Sequence, residues 1–311
     1  MNSYVVALPW HCYAFAACRE VAPTESELPS VDQFESVFKS ASKVPFIYEP
    51  QRLAKILLIT DADAANAERI GERVQRFLAT VDGQSQWLSA PAGDSETVEA
   101  LLALVERHRP DLLVTYRNLH SAAWQWPHSL GRHLDVLTQI AHCPVMVIPH
   151  PNDRAVFAAA MNHTRVVMAA TDHLAGDGSL VNCAVSLTEP AGKLVLAHIE
   201  DDATFERYIE TISKISSIDT DNAREKILAQ LLKEPRDYIR ACRGELEKQG
   251  VEISVEEVVS TGHRLSEYQR LISDHAVELL VMHTRDEDQS AMHGLAYPLA
   301  VELRHIPLLL V

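Results

Sequence analysis

Glycine is scarce in this chain, with 11 among 311 residues, about half the usual share. That limits how many loops can curl their amides closely around a phosphate, because such loops depend on residues without a Cβ. Long apolar runs are also missing. No stretch reaches the roughly 18 consecutive apolar residues that a membrane span requires, so no transmembrane segment is expected. The cysteines (Cys12, Cys18, Cys143, Cys183, Cys242) number five and are scattered; that is no disulfide framework and points to reduced thiols. Positive charge is outweighed, 28 Lys and Arg against 43 Asp and Glu, for a formal net charge of −15. Such a balance excludes nucleic acid as a partner, since phosphate contacts need clustered cations. The 15 histidines include no H-x-x-x-H pair, and there is no C-x-x-C pair, so no tetrahedral metal site is set up. The nearest groupings, His11-Cys12 with Cys18 and His283 with His293, read as surface or core residues. G-x-S-x-G is absent as well, which removes the nucleophile elbow of a serine hydrolase.

The first eighteen residues are apolar and end Phe15-Ala16-Ala17-Cys18. They lack a basic lead and are interrupted by Pro9, Trp10 and His11, so they do not read as a secretion signal. A cytoplasmic protein is expected.

What is present is a globular mix, 47% apolar and 23% charged, in a length that suits two ordinary domains. The last stretch organises the rest. Val277 to Met282 is a short apolar run, followed by a polar loop, a helical pattern, and the apolar close Leu308-Leu309-Leu310-Val311 after Pro307. The same succession occurs at Asp111 to Thr115, then at Ile140-Ala141-His142 and Cys143 to Ile148. Repetition at about half the chain length predicts two copies of one domain, 1–150 and 151–311.

In the first half, strands are expected at 3–8, 54–60, 84–89, 111–115 and 144–148, with helices at 31–41, 61–80 and 94–108. In the second, strands are expected near 165–172 and at 193–199, 251–259, 277–282 and 308–311. Helical segments there fall at 179–187, in two pieces within 204–232, at 235–249, at 265–276 and at 294–305. Strands alternating with helices imply an α/β fold of two doubly wound, parallel, five-stranded sheets. Leu308 to Val311 and Val145 to Ile148 would each be an apolar edge strand, a form that invites aggregation. Pairing 144–148 with 307–311 inside the chain covers both and predicts an internal pseudo-dimer; a further homodimer of chains is left open.

Four segments of the second half carry a family resemblance: Arg-Val-Val-Met-Ala-Ala-Thr-Asp172, Lys-Leu-Val-Leu-Ala-His198, Glu-Leu-Leu-Val-Met-His-Thr-Arg285 and Leu-Arg-His-Ile-Pro-Leu-Leu-Leu-Val311. In order and spacing they resemble the universal stress protein family in its tandem form. The first half fits from about Leu53, leaving an opening strand and helix to be supplied by residues 1–50. The resemblance implies an adenine nucleotide alpha hydrolase-like fold. In many members it also implies ATP held by a G-x-x-G-x9-G-[S/T] loop before the last helix. At the glycine positions this chain has His283, Asp286 and Ala296, and Tyr297 follows. Asp286 would set a carboxylate against phosphate, and like charges about 4 Å apart cost a few kcal/mol at an effective dielectric of ~20. The first half offers Thr115, Asn118 and Gly131 instead. The adenosine side is better kept. Asp172 matches the acidic residue that faces the base, with Ala170, Thr171, His198, Met282 and Arg285 along the same crevice at the carboxyl ends of parallel strands. An Asp after a strand is also a good helix cap or turn former, which is the first expectation for Asp172.

Trp87, Trp124 and Trp126 cluster in the first half, where they would fill an empty nucleotide crevice or form an apolar lip. The acidic triplet Asp286-Glu287-Asp288 reads as a solvated face. The expected function is therefore stress-response regulation by binding a small molecule or protein partner, without catalysis and with ATP or AMP disfavoured as cofactor. One alternative is an ATP-binding or ATP-hydrolysing protein using Arg285, His283 and His293 at the phosphates. Another is a regulatory subunit that docks on a membrane transporter through the first half.

Overall fold

Apolar runs too short for helices and rich in branched residues form the strands, and amphipathic stretches between them form the helices. The computed structural model describes residues 45–81, 83–126, 128–170, 178–283 and 296–311. The expected strand 3–8 and helix 31–41 lie outside them. Residues 44–311 make one unit.

In the first half, β1 (Lys55–Ile59), α1 (Ala64–Phe77), β2 (Gln86–Ala90), α2 (Val98–His108), β3 (Leu112–Tyr116), α3 (Arg132–Ile140) and β4 (Val145–Ile148) follow one another. The short α4 (Arg154–Ala160) leads across. Then come β5 (Val166–Ala170), α5 (Gly178–Leu187), β6 (Lys193–Asp201), α6 (Asp202–Ile212), α7 (Thr220–Lys248), β7 (Ser254–Gly262), α8 (Arg264–Asp274), β8 (Leu279–Met282), α9 (Ala296–Glu302) and β9 (Leu308–Leu310). Side chains set several starts: Asp63, Thr97 and Asp201 accept from backbone amides three residues on, at the first turns of α1, α2 and α6.

The strands lie in one nine-stranded sheet, ordered β2-β1-β3-β4-β9-β8-β5-β6-β7. Every pairing is parallel except β4 with β9, where Val145, Met146 and Val147 oppose Leu310, Leu309 and Leu308. The two separate five-stranded sheets expected from sequence are thus corrected to a single continuous one. The cause is the edge pairing itself: joining the two apolar edges through backbone hydrogen bonds fuses the sheets. From the junction the same order runs outward on both sides, β4-β3-β1-β2 and β9-β8-β5-β6, and only the second half continues to a further strand, β7.

This order corrects the reading of the first half. β1 already occupies the central place that β5 holds, so no opening strand is owed by residues 1–50. Among the described residues the place without a counterpart is the outer one, beside β2. Residues 45–49 meanwhile lie on the second half. The Asn182 side chain on α5 accepts from the Glu49 amide at 3.2 Å and donates to the Ile47 carbonyl at 3.1 Å, and Phe46 packs edge-on against Tyr238 of α7.

Another expectation fails at Pro235. A helix was expected to begin there, yet α7 passes through it unbroken from Thr220 to Lys248. A proline within a helix forfeits one hydrogen bond, but here the ring is buried and flanking arginines grip the sheet. Arg236 donates to the Val259 carbonyl and Arg243 to that of Val255. Tertiary contacts override the local breaker.

Candidate functional site

At the carboxyl ends of parallel strands, side chains and loop amides converge on a crevice. Each half has such a crest, and the ladders align the two residue by residue. Leu57 lies opposite Leu113 as Met168 lies opposite Leu280, and Ile59 opposite Ala90 as Ala170 opposite Ala197. By that count Thr60-Asp61 corresponds in sequence to Thr171-Asp172, and Tyr116 stands where His283 does. This register moves the first-half equivalent of His283 one residue on from Thr115.

In the second half the sheet brings several expected residues together. Ala170 ends β5 and pairs with Met282 at the end of β8; both are buried. His198 lies one residue beyond Ala197, the other ladder partner of Ala170, and is 5% exposed. Its Nε2 is 3.5 Å from a carboxylate oxygen of Glu200, which lies on the same face of β6 because alternate residues share a side. His283 follows Met282, half-buried, with Nδ1 3.4 Å from the Val311 carbonyl oxygen. Ala296 is buried in α9, while the neighbouring Tyr297 is 39% exposed. Thr171, Asp172 and Arg285 fall outside the described residues, as does Asp286.

The first-half crest is filled by its own side chains. Tyr116 is buried and its hydroxyl donates to Asp61 Oδ1. The Tyr116 oxygen also lies 2.6 Å from the Thr60 hydroxyl and accepts from the Asp61 amide at 3.0 Å, which uses the full capacity of a phenol. Burial, then the hydrogen bond to Asp61, holds the Tyr116 hydroxyl protonated far above the ordinary tyrosine range. The second carboxylate oxygen of Asp61 accepts from the His120 amide at 2.8 Å. Both Asp61 oxygens are engaged within the fold.

The loop after β3 is closed in the same way. Asn118 donates through its amide to the Leu130 carbonyl and through its side chain to that of Ser129. Gly131, at φ +88°, sits so close that a Cβ there would fall 2.7 Å from the Asn118 Cα. The glycine serves close packing of the loop on itself, and the Asn118 amide that could have met an anion is taken.

Aromatic rings cover the remainder. Trp124 stacks on His150 at 4.7 Å, and His150 meets Tyr116 edge-on at 4.6 Å. Trp124 thus fills the crevice, whereas Trp126 is 62% exposed and Trp87 lies on β2, packed partly against the core. Burial lowers the His150 pKa to about 4, with Asp61 opposing the shift. Its Nδ1 accepts from the Asn152 amide, while Nε2 is buried with no hydrogen-bond partner among the described residues. His133 is also buried, and burial with the nearby His120 ring pushes its pKa down.

Two arginines tie the halves at this end. Arg117, 5% exposed, donates to the Ala300 and Leu303 carbonyls at the end of α9, where a cation complements the helix dipole. Burial and the neighbouring Arg304 lower its pKa to about 9. Arg304 in turn donates to the Trp124 carbonyl. Sequence reading missed Asp61, Tyr116, His120, His133 and His150. The repeated Thr-Asp after the first strand of each half was the signal that would have found the first of them. No group of three or more His, Cys, Asp or Glu residues suited to a metal ion occurs among the described residues, and no helix there is long and apolar enough to cross a membrane.

No family model and no curated protein matches the sequence. Solved structures do resemble the fold. A functionally unknown protein from Pseudomonas aeruginosa PAO1 is 15% identical, with a TM-score of 0.50 over 83% of this chain and 92% of that one. A universal stress protein from Archaeoglobus fulgidus DSM 4304 is 11% identical, with a TM-score of 0.42 over 83% and 85%. At such identities the likeness is one of fold.

Proposed function

We propose that this chain, with its universal-stress-protein-like fold, is a tandem regulatory binding protein of stress-response type that works through one crevice and without turnover. The ligand-bearing crevice is that of the second half, bounded by Ala170, His198, Met282 and His283. The observation that carries this reading is the state of Asp61. Its equivalent in the other half is the residue expected to face a nucleotide base, yet both Asp61 oxygens are bonded to Tyr116 and the His120 amide. Trp124 and His150 occupy the space above. The second-half crest has no tyrosine in the place of Tyr116. His283 stands there, a smaller ring, next to Met282 and the buried His198.

The same comparison argues against triphosphate as the main ligand. The second half has His283, Asp286 and Ala296 where glycines would cradle phosphates, and a side chain at each position keeps the backbone from close approach. A ligand matched to the buried Ala170 and Met282 and to His198 and Glu200 is a small molecule that carries less negative charge than a triphosphate. Acid release and chromatography of freshly purified protein tests the proposal. The expected outcome is ATP far below one per chain. ATP in near-equal amount to protein would overturn it.

A further inference from the structure

The sheet ends differently on its two sides. At β7, Ser254 donates inward to Gly192, so Val255 and Val259 face outward, and their carbonyls are taken by Arg243 and Arg236 of α7. Two outward carbonyls of that edge are thus engaged by side chains of its own half. At β2 nothing comparable occurs among the described residues. Gln86 donates inward to Ala54, and Ala90 accepts inward from Thr60. By strand alternation Leu88 also faces β1, while Trp87 and Ser89 turn their N–H and C=O groups outward. The strand reads Gln-Trp-Leu-Ser-Ala, with no charge and no proline to discourage pairing. Beside it lies a recess of about 180 Å³ lined by Leu57, Leu88 and Leu104 together with the polar Asp94, Arg107 and His108. In the second half the corresponding edge, that of β6, is covered by β7 over nine residue pairs.

The geometry points to β2 as a dimer edge that takes the β2 of a second copy of this chain, antiparallel across a two-fold axis. A second copy is favoured because arginines already engage two outward carbonyls of its other outer edge, β7. Head-to-tail pairing of β2 with β7 would have to displace them, whereas the self-complementary contact displaces no bond among the described residues and closes by its two-fold symmetry. The chain already joins its own halves this way, through the antiparallel β4 and β9. Centring the contact on Leu88 sets Trp87 of each copy opposite Ser89 of the other. That register pairs all four outward groups of each strand and brings the two Leu88 side chains together over the recesses.

Two variants of the full chain test this. Ser89→Pro removes an outward donor and leaves the inward ladder intact. Leu88→Cys places two thiols at a non-hydrogen-bonded antiparallel pair, where Cα atoms are about 4.5 Å apart, within disulfide reach. By light scattering after size exclusion, wild type is expected to carry the mass of two chains. Ser89→Pro, with an unchanged circular dichroism spectrum, is expected to carry the mass of one. On a non-reducing gel Leu88→Cys is expected to form a covalent dimer that wild type does not. The inference is overturned by a wild-type monomer, in which another segment or a different protein covers the edge. A dimer that Ser89→Pro leaves intact and Leu88→Cys fails to cross-link overturns it equally.

Discussion

Tyr116 and His150 decide whether the first-half crest can hold anything. Tyr116→Phe removes one hydroxyl and strips Asp61 and Thr60 of a buried partner. Leaving such groups unsatisfied costs about 1–3 kcal/mol, read as a lower midpoint in urea. His150 gives a pH signature. Its folded pKa of about 4 lies below the ordinary 6.5, so between those values the unfolded chain binds the proton and the folded one does not. Stability is therefore full above pH 6.5 and falls as pH drops toward 4, by on the order of 3 kcal/mol. His133 is shifted in the same direction and adds to the slope. In His150→Phe, which keeps a ring beneath Trp124, denaturant midpoints measured from pH 7 to pH 4 are expected to fall less steeply than in wild type. An identical slope would count against the assignment. These residues were hard to read from sequence because histidines, tyrosine and tryptophan are separated by up to 89 positions between Asp61 and His150, and only the sheet brings them together. Ala170 and Met282 were legible because each terminates a recognisable apolar strand, and His198 because it follows the apolar run of another.

β9 is the element on which the assembly turns. Three leucines pair on one side with β8 and on the other with β4. Removing residues 308–311 would uncover both neighbours, each fully buried and apolar, and open strand edges of that kind aggregate. The truncated chain is expected to scatter light at concentrations where the intact chain stays clear; a clear, folded truncation would contradict the role given to β9. The pairing was legible from two apolar edge strands with no polar cover. Its consequence, one sheet in place of two, follows from the hydrogen-bonded continuity that such pairing creates. The helix through Pro235 and the missing partner of β2 were less accessible. The first depends on Arg236 and Arg243 reaching β7, contacts that local propensity does not encode. The second depends on recognising 55–59 as the central strand, which its Thr60-Asp61 ending marks and its position after residue 50 obscures.

At the scale of the whole molecule, the halves share a ladder, the buried Arg117 on α9 and the reach of Arg304 to Trp124. Cooperative unfolding follows from that continuity: calorimetry of the full chain is expected to show one transition for both halves, and Leu309→Asp, which buries a charge at the junction, is expected to lower it sharply or split it. The two crests differ, and the proposed function rests on that difference. One is closed by tyrosine, tryptophan and a self-bonded loop, and among the described residues the other carries Ala170, His198, Met282 and His283. Native mass spectrometry of the chain titrated in parallel with AMP and ATP measures this most directly. The account predicts at most one nucleotide per chain, AMP held at least as well as ATP, and weaker binding in His198→Phe with none lost in Tyr116→Phe. Two nucleotides per chain, or ATP held more tightly than AMP, would contradict it.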